Sequence, residues 1–129
     1  MKILLAGDSK QSWNIINALL DKQHHITVIN ADIAYCQQLA DQYEEIVIHN
    51  GDSTKLLILE ELNVKKFDMV IAMSLNDSEN FVICELCKIF FYIHNTAAII
   101  NCPRNTDIFR KLGVDTVIDT NTFILSFID

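Results

Sequence analysis

The chain is predicted to fold as an α/β domain of three layers, a six-stranded parallel sheet between two layers of helices. Two observations carry that prediction. Short apolar runs alternate with longer stretches of helical periodicity six times along the 129 residues. Such alternation implies parallel strands joined by right-handed crossovers, with helices on both faces. The first run, residues 2–6, also stops at Gly7 and passes directly into a helical stripe. Strand, glycine turn and helix start, in that order, open a doubly wound sheet.

Each element has its own signal. Residues 2–6 are too short for a helix and read as a strand covered on both faces. From Lys10 to Lys22, Ile15, Ile16, Leu19 and Leu20 make a helical stripe. His25 to Ile29 is a β-branched second strand, ended by Asn30. Asp32 caps a helix running to about Gln42, with Ile33, Cys36, Leu39 and Ala40 facing inward. Glu45 to Ile48 is a short third strand. Asn50-Gly51-Asp52-Ser53 is a turn cluster that can also cap the helix carrying Leu56, Leu57, Leu59 and Leu62. Phe67 to Ala72 is the fourth strand. Asn76 or Asp77 caps the helix that follows, which runs to about Tyr92. Thr96 to Ile100 is the fifth strand. Pro103 precedes a helix from about Asn105 to Leu112, stopped by Gly113. Asp115 to Ile118 is the sixth strand, and Thr120 to Ile128 is a strongly apolar last segment. The whole, residues 1–129, reads as one Rossmann-like domain.

Composition narrows the function. Half of the residues are apolar and the net charge is −7. An acidic chain is a poor direct partner for nucleic acid or anionic lipid. No apolar run approaches the roughly 20 residues that span a bilayer, so no direct membrane insertion is expected. The start lacks the pattern of a signal peptide, and the chain is expected to be cytoplasmic. Cys84 and Cys87 lie inside a predicted helix, not at its start where a redox pair would sit. With Cys36 and Cys102 they read as small buried hydrophobes. No metal-ligand spacing, nucleophile elbow or Tyr-x-x-x-Lys pair occurs, so neither a metal site nor catalytic residues are assigned and an enzyme is not expected.

Four segments together resemble the N-terminal nucleotide-binding domain of Trk-type potassium-transport regulators, the TrkA-N, KTN or RCK N-terminal domain. They are Lys2-Ile3-Leu4-Leu5-Ala6-Gly7; Thr27-Val28-Ile29-Asn30-Ala31-Asp32; Asn50-Gly51-Asp52-Ser53-Thr54 with the strand that leads to Met73-Ser74; and Leu112-Gly113-Val114-Asp115-Thr116-Val117-Ile118. The resemblance implies a cytoplasmic regulatory domain of a potassium channel or uptake system. It would be peripheral to the inner face of the membrane through a channel or transporter subunit, and would sense NAD(H), ATP or AMP. It implies a homodimer or larger ring, with residues 120–129 as a segment that crosses to the partner. The competing reading is a ligand-free dimerisation module of the same fold; a small NAD(P)-dependent oxidoreductase is the weakest.

The resemblance places the nucleotide on Gly7, Asp8, Ser9, Asn30, Ala31, Asp32, Gly51, Asp52, Ser53 and Ser74. Several depart from the family pattern. Ser9 stands where a glycine lets the backbone approach a pyrophosphate, and Ser12 where a third glycine packs the helix on the strand. Asp8 adds a negative charge beside the phosphates. Asn30 replaces the acid that accepts from the ribose hydroxyls, so that hydrogen bond loses its charge assistance. Ile99 falls where the family often has an arginine, with Arg104 a substitute five residues on. Nucleotide binding is therefore expected to be weakened.

Overall fold

The computed structural model describes residues 1–8 and 12–128, with the backbone alone at 12–14, 120, 122 and 123. Its strands are β1 Lys2–Ala6, β2 His25–Asn30, β3 Val47–Asn50, β4 Met69–Ala72, β5 Thr96–Ile100 and β6 Thr116–Asp119. Its helices are α1 Ser12–Asp21, α2 Ile33–Gln42, α3 Leu56–Glu61, α4 Asp77–Phe91, α5 Thr106–Lys111 and α6 Thr120–Leu125. Among the described residues the sheet has six strands in the order β3-β2-β1-β4-β5-β6, and every pairing is parallel. The predicted Rossmann-like architecture is the one found.

The pleat sends alternate residues of the central strands into two cores. Ile3 and Leu5 of β1 join Ile26, Val28, Tyr35 and Leu39 in the core under α1 and α2. Leu4 and Ala6 join Val70, Ala72, Ile83, Cys84 and Cys87 in the core under α3, α4 and α5. Alanines Ala6, Ala72 and Ala98 are paired side by side across β1, β4 and β5, all at most 1% exposed. Their small side chains let α4 lie close on the sheet centre. Helix ends follow local chemistry. Asn76 caps α4 by accepting from the Glu79 amide, and α5 stops at Gly113, φ +102, as the glycine predicts.

Several predicted details shift. The third strand is Val47–Asn50, not Glu45–Ile48, because its register is set by β2, with Asn30 beside Asn50. As an edge strand it gains nothing from a strictly apolar run, and Val47 is 52% exposed. The fourth strand begins at Met69, since Val64–Lys66 forms a 3₁₀ turn before it. A second 3₁₀ turn, Pro103–Asn105, precedes α5. The inward stripe of α2 is Tyr35, Cys36 and Leu39, while Ile33 and Ala40 face out. Tyr43, just past the helix, anchors this face by donating its hydroxyl to Asn17 Oδ1 at 2.7 Å. On α3, Leu57 is exposed and the cap is Lys55, not the Asn50–Ser53 turn. Ser9 lies outside the described residues, as does the side chain of Ser12.

Candidate functional site: the crevice at the ends of β1, β2 and β4

The strand order reverses between β1 and β4, and their carboxyl ends lie level, Ala6 beside Ala72. Loops leaving β1 and β4 on either side of such a switch point frame a crevice. Gly7 forms its floor at φ +116, a conformation rare for residues with a side chain. A Cβ there would meet the Ser74 backbone nitrogen at 2.5 Å. The glycine turn and the β4–α4 loop are thus packed backbone to backbone.

On the β2 side the predicted ribose residues come together. Asn30 is 1% exposed. Its amide nitrogen donates to the Gly7 carbonyl at 3.3 Å, and its Oδ1 accepts from the Asp32 amide at 2.8 Å. Asp32 caps α2, accepting from the Tyr35 amide at 3.2 Å. Asp8 Oδ1 accepts from the Ala31 amide at 2.9 Å. Asn50 Nδ2 reaches across from β3 to the carbonyls of Asn30 and Ala31, at 3.1 and 3.0 Å. Gly51 follows, its amide on the Asn30 carbonyl at 3.0 Å. Asp52 accepts from the amide and hydroxyl of Thr54 at 2.9 and 2.6 Å. These bonds, the hydroxyl's first, hold its carboxyl below the ordinary carboxylate value. Ser53 is buried beneath the same turn.

On the β4 side Ser74 is also buried and held. Its amide donates to Asn80 Oδ1 at 2.7 Å and its hydroxyl to Glu79 Oε2 at 2.5 Å. Asn80, wholly buried, returns its Nδ2 to the carbonyls of Ser74 and Ile99 at 2.8 and 2.7 Å. Asp77 ties this loop to the end of β5. It accepts from the Asn101 and Cys102 amides at 2.7 and 2.9 Å, and from Asn105 Nδ2 at 2.8 Å. Asn101 Nδ2 adds bonds to Asp77 Oδ1 and to the Leu75 carbonyl, each at 3.0 Å. Burial works to raise the Asp77 carboxyl, but the bonds from Asn101, Asn105 and Cys102 outweigh it and the net shift is downward. Ile99, at the family's arginine position, is partly buried against the α1–α2 core. Arg104 stands in the Pro103–Asn105 turn beside Cys102.

Gly7, Asp8, Asn30, Ala31, Asp32, Gly51 and Ser74 thus lie together at the carboxyl ends of β1, β2, β3 and β4, with Asp52 and Ser53 further along the Gly51 loop. Sequence reasoning placed Asp77 only at the start of a helix, and gave Asn50 and Asn101 no individual role. Their signal was the repeated asparagine at the carboxyl ends of strands, a residue that can both donate and accept between loops. Three of the four cysteines fit their sequence reading, whereas Cys102, in the loop after β5, is only half-buried. Cys36, Cys84 and Cys87 are buried, and burial pushes the thiols of Cys84 and Cys87 up to about 12. Among the described residues no helix is long and apolar enough to cross a membrane.

A doubly wound parallel sheet with a glycine turn at its switch point defines the class of Rossmann-type nucleotide-fold domains. Within that class the chain belongs to the TrkA-N domain family, whose pattern matches residues 3–120. It is 29% identical over 130 residues to the Trk system potassium uptake protein TrkA of Mycobacterium tuberculosis, covering 100% of this chain and 58% of that protein. The chain spans little more than half the length of the first curated relatives it matches. Among solved structures, the TrkA-N domain of inner membrane protein ybaL from Escherichia coli superposes with a TM-score of 0.87. That match has 14% identity and covers 98% of this chain and 93% of that one. The GsuK channel bound to NAD superposes at 0.77 with 21% identity, over 91% of this chain and 21% of that one.

Proposed function

We propose that this domain is a regulatory module of a potassium channel or uptake system, held at the cytoplasmic face of the membrane by its transport subunit. Its crevice takes an adenine nucleotide, NAD(H), ATP or AMP, with reduced affinity. The observation that carries this reading is the crevice itself: in a TrkA-N domain, Gly7 turns tightly against Ser74 at the switch point, with Asn30 and Gly51 beside it. The GsuK structure with NAD supports nucleotide as the ligand class. The reduction follows from Asn30, which is uncharged and whose oxygen already accepts from Asp32. A neutral hydrogen bond is roughly half as strong as a charge-assisted one. The acids around the crevice are engaged in holding loops, which supports a binding role and not a catalytic one. Calorimetric titration with NADH, ATP and AMP should show heat with at least one of them, at micromolar or weaker affinity. No heat and no thermal shift with any of the three removes nucleotide sensing from the reading.

A second reading concerns assembly, and exposed apolar surface favours it. Ile124, Leu125, Phe127 and Ile128 are 57%, 61%, 77% and 72% exposed. A mainly apolar cleft of about 290 Å³ also lies between α4 and α5, lined by Phe81, Val82, Ile108, Phe109 and Leu112, with Asp77, Ser78 and Asn105 on its polar side. Exposed apolar surface of this extent marks an interaction site. We infer a homodimer or larger ring in which the segment from residue 120 onward packs on a partner. Light scattering should give at least the dimer mass at micromolar concentration, and the double substitution Leu125→Asp with Phe127→Asp should lower it to the monomer. A monomer mass for the unaltered chain contradicts this assembly.

A further inference from the structure

The β2 side of the crevice is satisfied from within, and one of its bonds differs from the rest. Asn30 spends its amide on Gly7 and its oxygen on Asp32, and is buried while doing so. Asn50 and Gly51 hold the backbone carbonyls behind it. The bond between the Ala31 amide and Asp8 Oδ1 is exposed, as is that from Asn50 to the Ala31 carbonyl, but of the two it alone has a carboxylate acceptor, and it joins two loops 23 residues apart. Its donor is the first backbone N–H beyond β2, where a ribose or phosphate oxygen entering the crevice would look for a donor. Its acceptor is an ionised side chain that solvent, and therefore a ligand, can reach.

We propose that Asp8 is an internal competitor for the nucleotide: its carboxylate occupies the Ala31 amide, closes the ribose corner of the crevice, and so determines which ligands enter and how tightly. The proposal rests on the nucleotide reading of this crevice and names the residue that sets its selectivity. An entering hydroxyl has to replace a charged acceptor with a neutral one, which is an unfavourable exchange. An entering phosphate offers a charged acceptor, but meets the displaced carboxylate at close range, where like charges repel. Ligands carrying more phosphate near the ribose are penalised most. Added salt screens that repulsion, because Asp8 is exposed.

The test uses the chain with Asp8 intact and the variants Asp8→Asn and Asp8→Ala, titrated calorimetrically with AMP and NADH at low and moderate salt. Asp8 is exposed, so both variants should fold as the parent does. Asp8→Ala should bind at least tenfold more tightly than the parent. Asp8→Asn, which keeps an acceptor without the charge, should fall between them. Moderate salt should strengthen binding to the parent and not to Asp8→Ala. In parallel, hydrogen exchange of the Ala31 amide followed by NMR should be slow in the parent and faster in Asp8→Ala. Nucleotide bound equally well by parent and Asp8→Ala overturns this inference and leaves the nucleotide reading standing, as does an Ala31 amide that exchanges at the same rate in both. Binding by Asp8→Ala alone supports this inference, while a parent that stays silent with AMP, NADH and ATP loses the nucleotide-sensing reading. Silence from all three proteins overturns both.

Discussion

Gly7→Ala is expected to lower the stability of the domain by roughly 2–6 kcal/mol. The sum combines about 1–3 kcal/mol for a side chain forced into an unfavourable backbone region with about 1–3 kcal/mol for overpacking. Both terms are present at this residue. Its φ is +116, and the added Cβ would lie 2.5 Å from Ser74 N, 3.0 Å from Ser74 Cα and 3.1 Å from Met73 C. All three are backbone atoms, and the Met73 amide is itself bonded to the Ala6 carbonyl at 2.7 Å, so the loop has little room to retreat. Gly51→Ala is the natural comparison. Its Cβ would meet Ile58 Cγ2 at 3.1 Å, a side-chain methyl that can turn away, at a φ outside the left-handed region. It should cost about 1 kcal/mol, the low end of the overpacking range. Urea denaturation of the three proteins decides the matter. Equal midpoints for Gly7→Ala and the parent would show that the turn is not packed as described.

Asp77→Ala is expected to cost about 2–4 kcal/mol at neutral pH, since hydrogen bonds to a charged group contribute about 1.5–3 kcal/mol each and water replaces part of them here. The carboxylate receives the backbone amides of Asn101 and Cys102 and the side chain of Asn105. Without it the β4–α4 loop loses its tie to β5. Acid should remove the same contribution from the parent. The Asp77 carboxyl is held below its ordinary value of 3.8 in the folded chain, so it binds its proton less readily folded than unfolded. The stability it supplies is present above about pH 4 and is lost as the pH falls through the folded value. Asp52 and Asp115 are shifted in the same direction. For Asp115, burial acts upward and the Thr96 amide and Lys88 outweigh it. The gap in stability between the parent and Asp77→Asn should therefore narrow between pH 7 and about pH 3. A gap independent of pH would mean that the charge of Asp77 contributes nothing.

These two residues differ in how far the sequence reveals them. Gly7 was legible, because a glycine between an apolar run and a helical stripe has few roles other than a sharp turn. That its α-carbon presses on Ser74, 67 positions later in the numbering, was not legible. Asp77 could be read as a helix start, which is a local property. Its partners Asn101, Cys102 and Asn105 become neighbours only because β5 is laid beside β4. Asn30 is intermediate. Its identity signalled an altered ribose contact, while the donation to Gly7 and acceptance from Asp32 needed the loops in place.

Boundaries and faces went wrong where local pattern competed with pairing. The third strand runs through His49 and Asn50 because β2 continues to Asn30 beside it, although its own apolar letters stop at Ile48. On α2 the inward face turned to Tyr35, whose long ring, 2% exposed, fills core that the smaller Ala40 cannot reach.

The sequence by itself determined the fold class, the strand and helix order, the glycine turn and the family resemblance. All of these are written in periodicity and in residues whose backbone preferences act within a few positions. Only the tertiary structure decided that the crevice is braced from within by Asn30, Asn50, Asn80 and Asp77, and that Asp8 closes on Ala31. Those contacts join loops 20 or more residues apart for Asp8–Ala31 and Asn50–Asn30. Their energy depends on which strands lie side by side, and no local pattern carries that information.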